Sequence, residues 1–123
     1  MKRSSGILMP VFSLPSEYGI GCMDEAAYDF VDKLAAAGQS YWQVLPMGPT
    51  GYGDSPYQSF STFAGNPYFI SLKPFIREGY ITERECEEAS RGTGTSQVAY
   101  GLLFQSRLGL LEKVYDCSRE KLE

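Results

Sequence analysis

The chain has 123 residues, a length typical of one domain, and 43% of them are hydrophobic, which is enough to build a core. Its formal net charge of −4 leaves no basic surplus for neutralising phosphates, which argues against nucleic acid as a partner. The sequence contains no histidine, which excludes Ser-His-Asp and Cys-His catalysis and histidine metal ligands from this chain.

The cysteines and the N-terminus indicate the compartment. The chain has three widely spaced cysteines: Cys22, Cys86 and Cys117. No CxxC motif occurs, so we expect neither a disulfide framework nor a metal site, and free thiols are typical of a reducing cytoplasm. Lys2 and Arg3 precede an apolar run, but Pro10 and Pro15 interrupt it, so no signal peptide is expected. We therefore predict a cytoplasmic protein, with no window approaching the ~20 apolar residues of a membrane span.

The first half of the chain has the pattern of strand, helix and strand. Ile7–Leu14 is a short apolar run typical of a buried strand, with Pro10 tolerated near an edge or a bulge. From Asp24 a helix is predicted, and Gly38 is well placed to end it. Its expected apolar face consists of Ala27, Phe30, Val31, Leu34 and Ala35. Tyr41–Pro46 is predicted to be a second buried strand.

This order of elements is that of a βαβ unit. Parallel strands need such a crossover connection, which is right-handed in nearly all proteins. The unit predicts an α/β fold with a parallel sheet, which is either open or closed into a barrel.

The second half of the chain is predicted to be mostly helical. Leu72–Gly79 is expected to form one irregular helical turn, and Thr82 and Glu85 match a capping box that opens a short helix. The loop SRGTGTSQ follows, and a last helix begins near Val98. The expected apolar face of that helix consists of Leu103, Phe104, Leu108, Leu111, Val114 and Tyr115. The chain stops within this uncapped pattern, which suggests a truncation.

A nearly neutral, aromatic region separates the two halves. Between Lys33 and Lys73, thirty-nine residues carry one charged side chain, Asp54, and eight of the seventeen aromatic residues. The stretch GYGDSPYQSFSTFAGNPYFISL follows a predicted parallel strand, where α/β proteins place their ligand sites. Such a surface suits a neutral, polyhydroxylated ligand, whose rings pack on aromatic side chains while its hydroxyls bond to polar ones.

Each of these residues also has a purely structural interpretation. The phenylalanines of the region are expected to pack beneath the loop, since Phe has no polar group: Phe60, Phe63 and Phe69. For Tyr52 and Tyr57, packing and ligand contact both stay open. Asp54 precedes Ser-Pro, so composition alone favours an Asx turn or a cap over a ligand contact. Trp42 is expected to be a packing residue.

Two long segments resemble the N-terminal region of the 4-α-glucanotransferases, the amylomaltase or disproportionating-enzyme family. These segments are SGILMPVFSLPSEYGIG and AAAGQSYWQVLPMGPTGYGDSPYQSFSTFAGNPYFISL. The likeness runs from about Ser5 to Leu72 and continues more loosely through EGYIT and AYGLLFQSRLGLLEKVY. It implies a (β/α)8 TIM barrel, of which residues 1–72 supply the first strand-helix-strand unit and residues 73–123 an inserted, mostly helical segment.

The resemblance also implies an activity. The family transfers α-1,4-glucan segments between maltooligosaccharides, starch or glycogen with retention, which needs two carboxyl groups ~5–5.5 Å apart, and it uses no cofactor or metal. The family's catalytic carboxylates lie on later strands, so none is assigned here, and Asp54 is the single carboxylate of the aromatic region. The chain by itself is therefore expected to be inactive. The other acidic residues that stand close together are expected to form a solvated helix face: Glu83, Glu85, Glu87 and Glu88.

By the same resemblance, specific residues face the glucan. Ser55 and Tyr57 fall at positions that touch the bound glucan near the cleavage point, and Asp54 and Gln58 at positions that hold the loop's shape. Tyr52 falls on an aromatic position that forms a second glucan site in some members.

Three further positions have a counterpart in the family. Tyr100 is the expected partner of Tyr52 at the second glucan site, although Ala99 stands where the family often has Asp. Gly19 and Gly21 fall in a turn with a structural role.

Three hypotheses stay open at this point. The chain is the N-terminal part of a transglycosylase, or a non-catalytic glucan-binding module, or a non-functional gene fragment.

Overall fold

The computed structural model describes residues 3–94 and 96–122, with side chains described as far as residue 119. Lys2 of the N-terminal basic pair, Thr95 of the predicted loop and the charged side chains at the C-terminal end lie outside the described residues. The described chain forms two compact units. One contains the residues up to Ser16 and then Ile20–Ile70, and the other contains Glu17–Gly19 and the residues from Ser71 onwards.

The first unit contains a two-stranded parallel sheet. Strand β1 (Gly6–Leu8) pairs with β2 (Tyr41–Gln43), and Ile7 lies opposite Trp42 in the register. A helix connects the two strands, so the predicted βαβ arrangement is confirmed.

The predicted lengths and burial of the strands were wrong. Beyond Leu8 the first predicted strand gives way to a 3-10 helix over Val11–Ser13. Pro10 precedes that helix and has no N–H with which to extend the ladder. The second strand ends at Gln43 rather than Pro46, and all residues of β1 are exposed. Within the described residues the sheet has two strands.

Helix α1 (Glu25–Ala36) begins and ends at the predicted residues. The Asp24 side chain accepts a hydrogen bond from the Ala26 N–H at 3.0 Å, which caps the first turn. At the other end Gly38 has φ +70°, and its N–H donates to the Ala35 carbonyl at 3.0 Å. The Gln39 N–H donates to the Leu34 carbonyl at 2.9 Å, which completes a Schellman motif.

The buried face of α1 is narrower than the pattern predicted. Ala27 is buried and Phe30 and Leu34 are half-buried, whereas Val31 and Ala35 are exposed. The Phe30 ring meets the Trp42 ring edge-on, with centroids 5.1 Å apart. The Trp42 Nε1–H also donates to the Met9 carbonyl at 2.7 Å, so the predicted packing role of Trp42 is confirmed. Of the predicted stripe, the positions at Ala27 and at three and seven residues beyond it are therefore at least half-buried, and the other two are not.

The second unit is helical. Helix α2 spans Lys73–Arg77, α3 spans Glu83–Ala89 and α4 spans Tyr100–Leu122. The predicted capping box of α3 is confirmed by hydrogen bonds in both directions between Thr82 and Glu85. The core of this unit consists of Tyr18, Leu72, Ile81, Cys86 and Val114. None of the described helices is both long and apolar enough to cross a membrane.

The buried face of α4 is rotated from the predicted one. Leu103 and Val114 are buried as expected, but Phe104 and Tyr115 are exposed. Arg107, four residues after Leu103, occupies the buried face and is 2% exposed. Residues separated by four, seven and eleven positions share one face of a helix, so the neighbours of Leu103 and Val114 in sequence point elsewhere.

The four glutamates of α3 form the predicted solvated helix face, with one exception. Glu83, Glu87 and Glu88 are exposed as predicted. Glu85 is half-buried, and its carboxylate pairs with the Lys113 ammonium of α4. Hydrogen bonds from Lys113 and then from Thr82 lower the pKa of Glu85 to about 2.

This ion pair predicts a pH-dependent stability. The Glu85 pKa is lower in the folded protein than its ordinary value of 4.5, so its stabilisation is complete above pH 4.5 and is lost as the pH falls towards 2. The unfolding temperature of the wild type should exceed that of Glu85→Gln at pH 7, and the difference should vanish near pH 2. Glu87→Gln is the matched control, since Glu87 is exposed. A difference that stays constant across the pH range would contradict the prediction.

Candidate functional site

The chain after β2 forms a loop that is closed at its base. The Asn66 N–H donates to the Met47 carbonyl at 2.8 Å. Further out, Thr50 and Ser59 form an isolated antiparallel bridge. We call the residues beyond this bridge, Gly51–Gln58, the aromatic loop. Its first N–H, that of Gly51, donates to the Gln58 carbonyl at 3.2 Å, so both ends of the loop are held together.

Two successive turns build the aromatic loop. The Asp54 N–H donates to the Gly51 carbonyl at 3.1 Å, and the Gln58 N–H donates to the Ser55 carbonyl at 3.1 Å. Gly53 and Asp54 both have positive φ, +96° and +56°. Aspartate is one of the few residues with a Cβ that tolerate this left-handed conformation, so Asp54 shapes the loop through its backbone.

The loop presents aromatic and polar side chains on one short segment. Tyr57 is 72% exposed, and its N–H donates to the Ser55 Oγ at 3.4 Å. Asp54 and Ser55 are half-buried, while Gln58 is exposed. The structure thus brings Asp54, Ser55, Tyr57 and Gln58 together in one closed loop of eight residues.

The proposed residues of the second glucan site have different surroundings. Tyr52 is fully exposed in the first turn of the aromatic loop. Tyr100 is the first residue of α4 and is half-buried. Their assignment to a common glucan site stays a prediction.

The prediction that all three phenylalanines lie beneath the loop was wrong for two of them. Phe69 is buried, but Phe60 is 78% and Phe63 is 98% exposed. On either side of Phe60, the Ser59 Oγ donates to the Ser61 carbonyl at 2.7 Å, and the Ser61 N–H donates to the Ser59 Oγ. These local hydrogen bonds satisfy the backbone at the surface, so the segment turns without folding its rings inward.

Two buried residues that follow the aromatic loop in the chain were missed by sequence reasoning. Asn66 is the N-cap of a 3-10 helix over Pro67–Phe69, and Tyr68 of that helix is buried. Burial raises the pKa of Tyr68, and the nearby Asp54 carboxylate raises it further. The Asn-Pro dipeptide at 66–67 is a known turn signal that could have identified the cap, whereas nothing local identifies the proximity of Tyr68 to Asp54.

The chemistry available in the aromatic loop is binding rather than bond cleavage. Asp54 is its one carboxylate, and a retaining glycosidic reaction needs two. Among the residues described, no group of three or more Cys, Asp or Glu side chains is arranged to hold a metal ion. What the loop offers is two exposed tyrosine rings, those of Tyr52 and Tyr57, beside hydroxyl, amide and carboxylate groups.

A parallel strand followed by such a loop is characteristic of α/β proteins, whose ligand sites lie after the carboxyl ends of their strands. The family model described as 4-alpha-glucanotransferase matches residues 9–123, and the chain belongs to this family. It is 50% identical to the 4-alpha-glucanotransferase of Streptococcus pneumoniae over 112 residues. This alignment covers 91% of this chain and 22% of that protein. It is 46% identical over 121 residues to the Thermus thermophilus 4-alpha-glucanotransferase, covering 98% of this chain and 23% of that protein.

A solved structure has the same fold over most of the chain. It is an amylomaltase from Streptococcus agalactiae in complex with acarbose, with a TM-score of 0.86 and 43% sequence identity. The match covers 94% of this chain and 23% of the amylomaltase. This chain therefore spans less than a quarter of the length of the relatives that it matches.

Proposed function

We propose that this chain is the N-terminal, glucan-contacting part of a retaining 4-α-glucanotransferase. The observation that carries the proposal is the closed aromatic loop after β2 in a chain that belongs to this family. The solved relative is an amylomaltase in complex with acarbose, which supports a carbohydrate as the ligand. The substrates proposed are α-1,4-glucans such as maltooligosaccharides, starch and glycogen.

In this proposal the chain supplies the beginning of a (β/α)8 barrel. Residues 1–72 contribute the first strand-helix-strand unit, and residues 73–123 belong to an inserted, mostly helical segment. The parallel pairing of β1 with β2 and the connecting α1 support the first assignment. A barrel of this type needs ~250 residues, and the relatives are long enough to contain one, since the match covers 22% of the Streptococcus pneumoniae protein.

Each loop residue has a role in the proposed binding. The Tyr57 ring packs on the apolar face of a glucose unit, and its hydroxyl bonds to a sugar hydroxyl. Ser55 contacts the same glucan, while Asp54 and Gln58 hold the loop in shape. The nucleophile and the acid/base carboxylate are supplied by residues outside this chain, so the chain alone is inactive.

The test is a transfer assay on the protein expressed from the complete coding sequence that contains this chain. Maltopentaose should be converted into both shorter and longer maltooligosaccharides. Because transfer replaces each broken α-1,4 bond with a new one, the number of reducing ends should stay constant.

Two results would contradict the proposal. One is a rise in reducing ends without longer products, which indicates hydrolysis. The other is a folded protein that binds maltopentaose and leaves it unchanged, which indicates a binding module. A chelator in the assay should leave the rate unchanged, because the proposed reaction uses no metal.

A further inference from the structure

Asn66 closes the base of the loop that carries the proposed glucan contacts. Its N–H donates to the Met47 carbonyl at 2.8 Å, so the chain returns at Asn66 to the segment that it left after β2. The bridge between Thr50 and Ser59 lies inside this closure. This backbone contact closes the longer loop from Met47 to Asn66, which contains the aromatic loop.

The Asn66 side chain is buried and accepts a backbone hydrogen bond. It is 6% exposed, and its Oδ1 accepts a hydrogen bond from the Tyr68 N–H at 3.0 Å. Its carbonyl accepts from the Phe69 N–H at 3.1 Å. The Phe69 carbonyl in turn accepts a hydrogen bond from the Met23 N–H at 3.1 Å, and Met23 lies two residues before α1. Asn66 thus joins the loop to the residues just before the first helix.

Tyr68 connects this cap to the ligand-facing residues. It is buried, which raises the pKa of its phenol, and the Asp54 carboxylate raises that pKa further. Asp54 ends the first turn of the aromatic loop, and Ser55 begins the second. Loss of the Asn66 side chain would leave the Tyr68 N–H without its hydrogen-bond acceptor in a buried position, which favours movement of Tyr68.

We propose that Asn66 is a positioning residue, which holds Ser55 and Tyr57 in the geometry that binds glucan without touching the glucan itself. This inference rests on the proposed function of the loop. Small displacements of substrate-positioning groups lower enzymatic efficiency strongly, so the effect should appear in glucan binding rather than only in stability.

The test compares three variants of the protein expressed from the complete coding sequence. Asn66→Ala removes the cap, and Asn66→Ser keeps a neutral oxygen that can accept the same hydrogen bond. Thr82→Ala is the matched control, because Thr82 is also an N-cap whose side chain accepts a backbone N–H, but at helix α3. We expect Asn66→Ala to raise KM for maltopentaose about tenfold with a smaller change in kcat, and Asn66→Ser to stay within about threefold of the wild type.

Thr82→Ala should lower the unfolding temperature and leave KM unchanged. If Asn66→Ala behaves in the same way as Thr82→Ala, its role is only structural and the proposal is overturned.

Hydrogen exchange provides a readout that does not need activity. The amide groups of Gly51, Asp54 and Gln58 are hydrogen-bonded within the loop. Their exchange should become about tenfold faster in Asn66→Ala and stay unchanged in Thr82→Ala. If the wild-type protein transfers no glucan, the proposed function fails, while this comparison still decides the role of Asn66.

The serine variant also covers the case in which Asn66→Ala does not fold. If Asn66→Ser folds but the Gly51 and Gln58 amide hydrogens still exchange faster than in the wild type, positioning by the Asn66 side chain is refuted.

Discussion

Replacing Tyr57 by alanine should lower kcat/KM for maltopentaose by roughly thirtyfold, which corresponds to about 2 kcal/mol of lost binding. Its ring is 72% exposed on a loop that is closed by its own hydrogen bonds. A glucose unit that packs on this ring would find the ring already in place, so little binding energy would be lost to ordering it.

Two variants separate the effect of the ring from other effects. Tyr57→Phe keeps the ring and loses the hydroxyl, so kcat/KM should fall only about fivefold, the effect of one hydrogen bond. Tyr115→Ala removes a tyrosine that is similarly exposed, at 63%, but lies on α4. It should leave kcat/KM unchanged. Equal kcat/KM values for Tyr57→Ala, Tyr115→Ala and the wild type would show that Tyr57 does not contact the glucan.

Replacing Gly21 by alanine should destabilise the protein by about 3 kcal/mol, or prevent folding. A Cβ at Gly21 would lie 2.1 Å from the Val11 carbonyl oxygen and 2.8 Å from the Leu14 nitrogen. Both of these atoms belong to the backbone, so no side-chain rotation relieves the overlap. The Gly21 N–H also donates to the Phe12 carbonyl at 3.2 Å, which holds the two segments together at this point.

Urea unfolding followed by circular dichroism measures this effect. Gly109→Ala is the control, because the position is inside α4 and, apart from its chain neighbours and the backbone of the helix itself, no heavy atom lies within 4 Å of the added Cβ. It should stabilise the protein by about 0.5–1 kcal/mol, since alanine favours a helix over glycine. If Gly21→Ala unfolds at the wild-type urea concentration, the close approach of the two backbone segments is not required.

Several structural elements were predictable because their signals are local. Asp24 and Gly38 mark the two ends of α1, and the capping box of Thr82 and Glu85 marks the start of α3. Each signal depends on hydrogen bonds between residues a few positions apart, which the sequence alone specifies. The nearly neutral, aromatic composition of the region around the loop is also a local property, and the family resemblance then predicted glucan contacts for Ser55 and Tyr57.

Burial was less predictable, because it depends on residues that are distant in sequence. Phe69 and Phe63 have the same side chain in the same stretch, yet one is buried and the other is exposed. On α4, the apolar pattern did not distinguish Phe104, which is exposed, from Leu103, which is buried.

The sequence by itself determined both ends of α1, the start of α3, the order of strand, helix and strand, and the composition of the aromatic loop. Only the tertiary structure decided that Asn66 closes the longer loop from Met47 around the aromatic loop, that the Asp54 carboxylate acts on the pKa of Tyr68, and that Phe63 is exposed. The physical reason is the range of the interactions. Caps and turns are formed within a few residues, whereas packing and loop closure depend on chain segments that meet only when the protein folds.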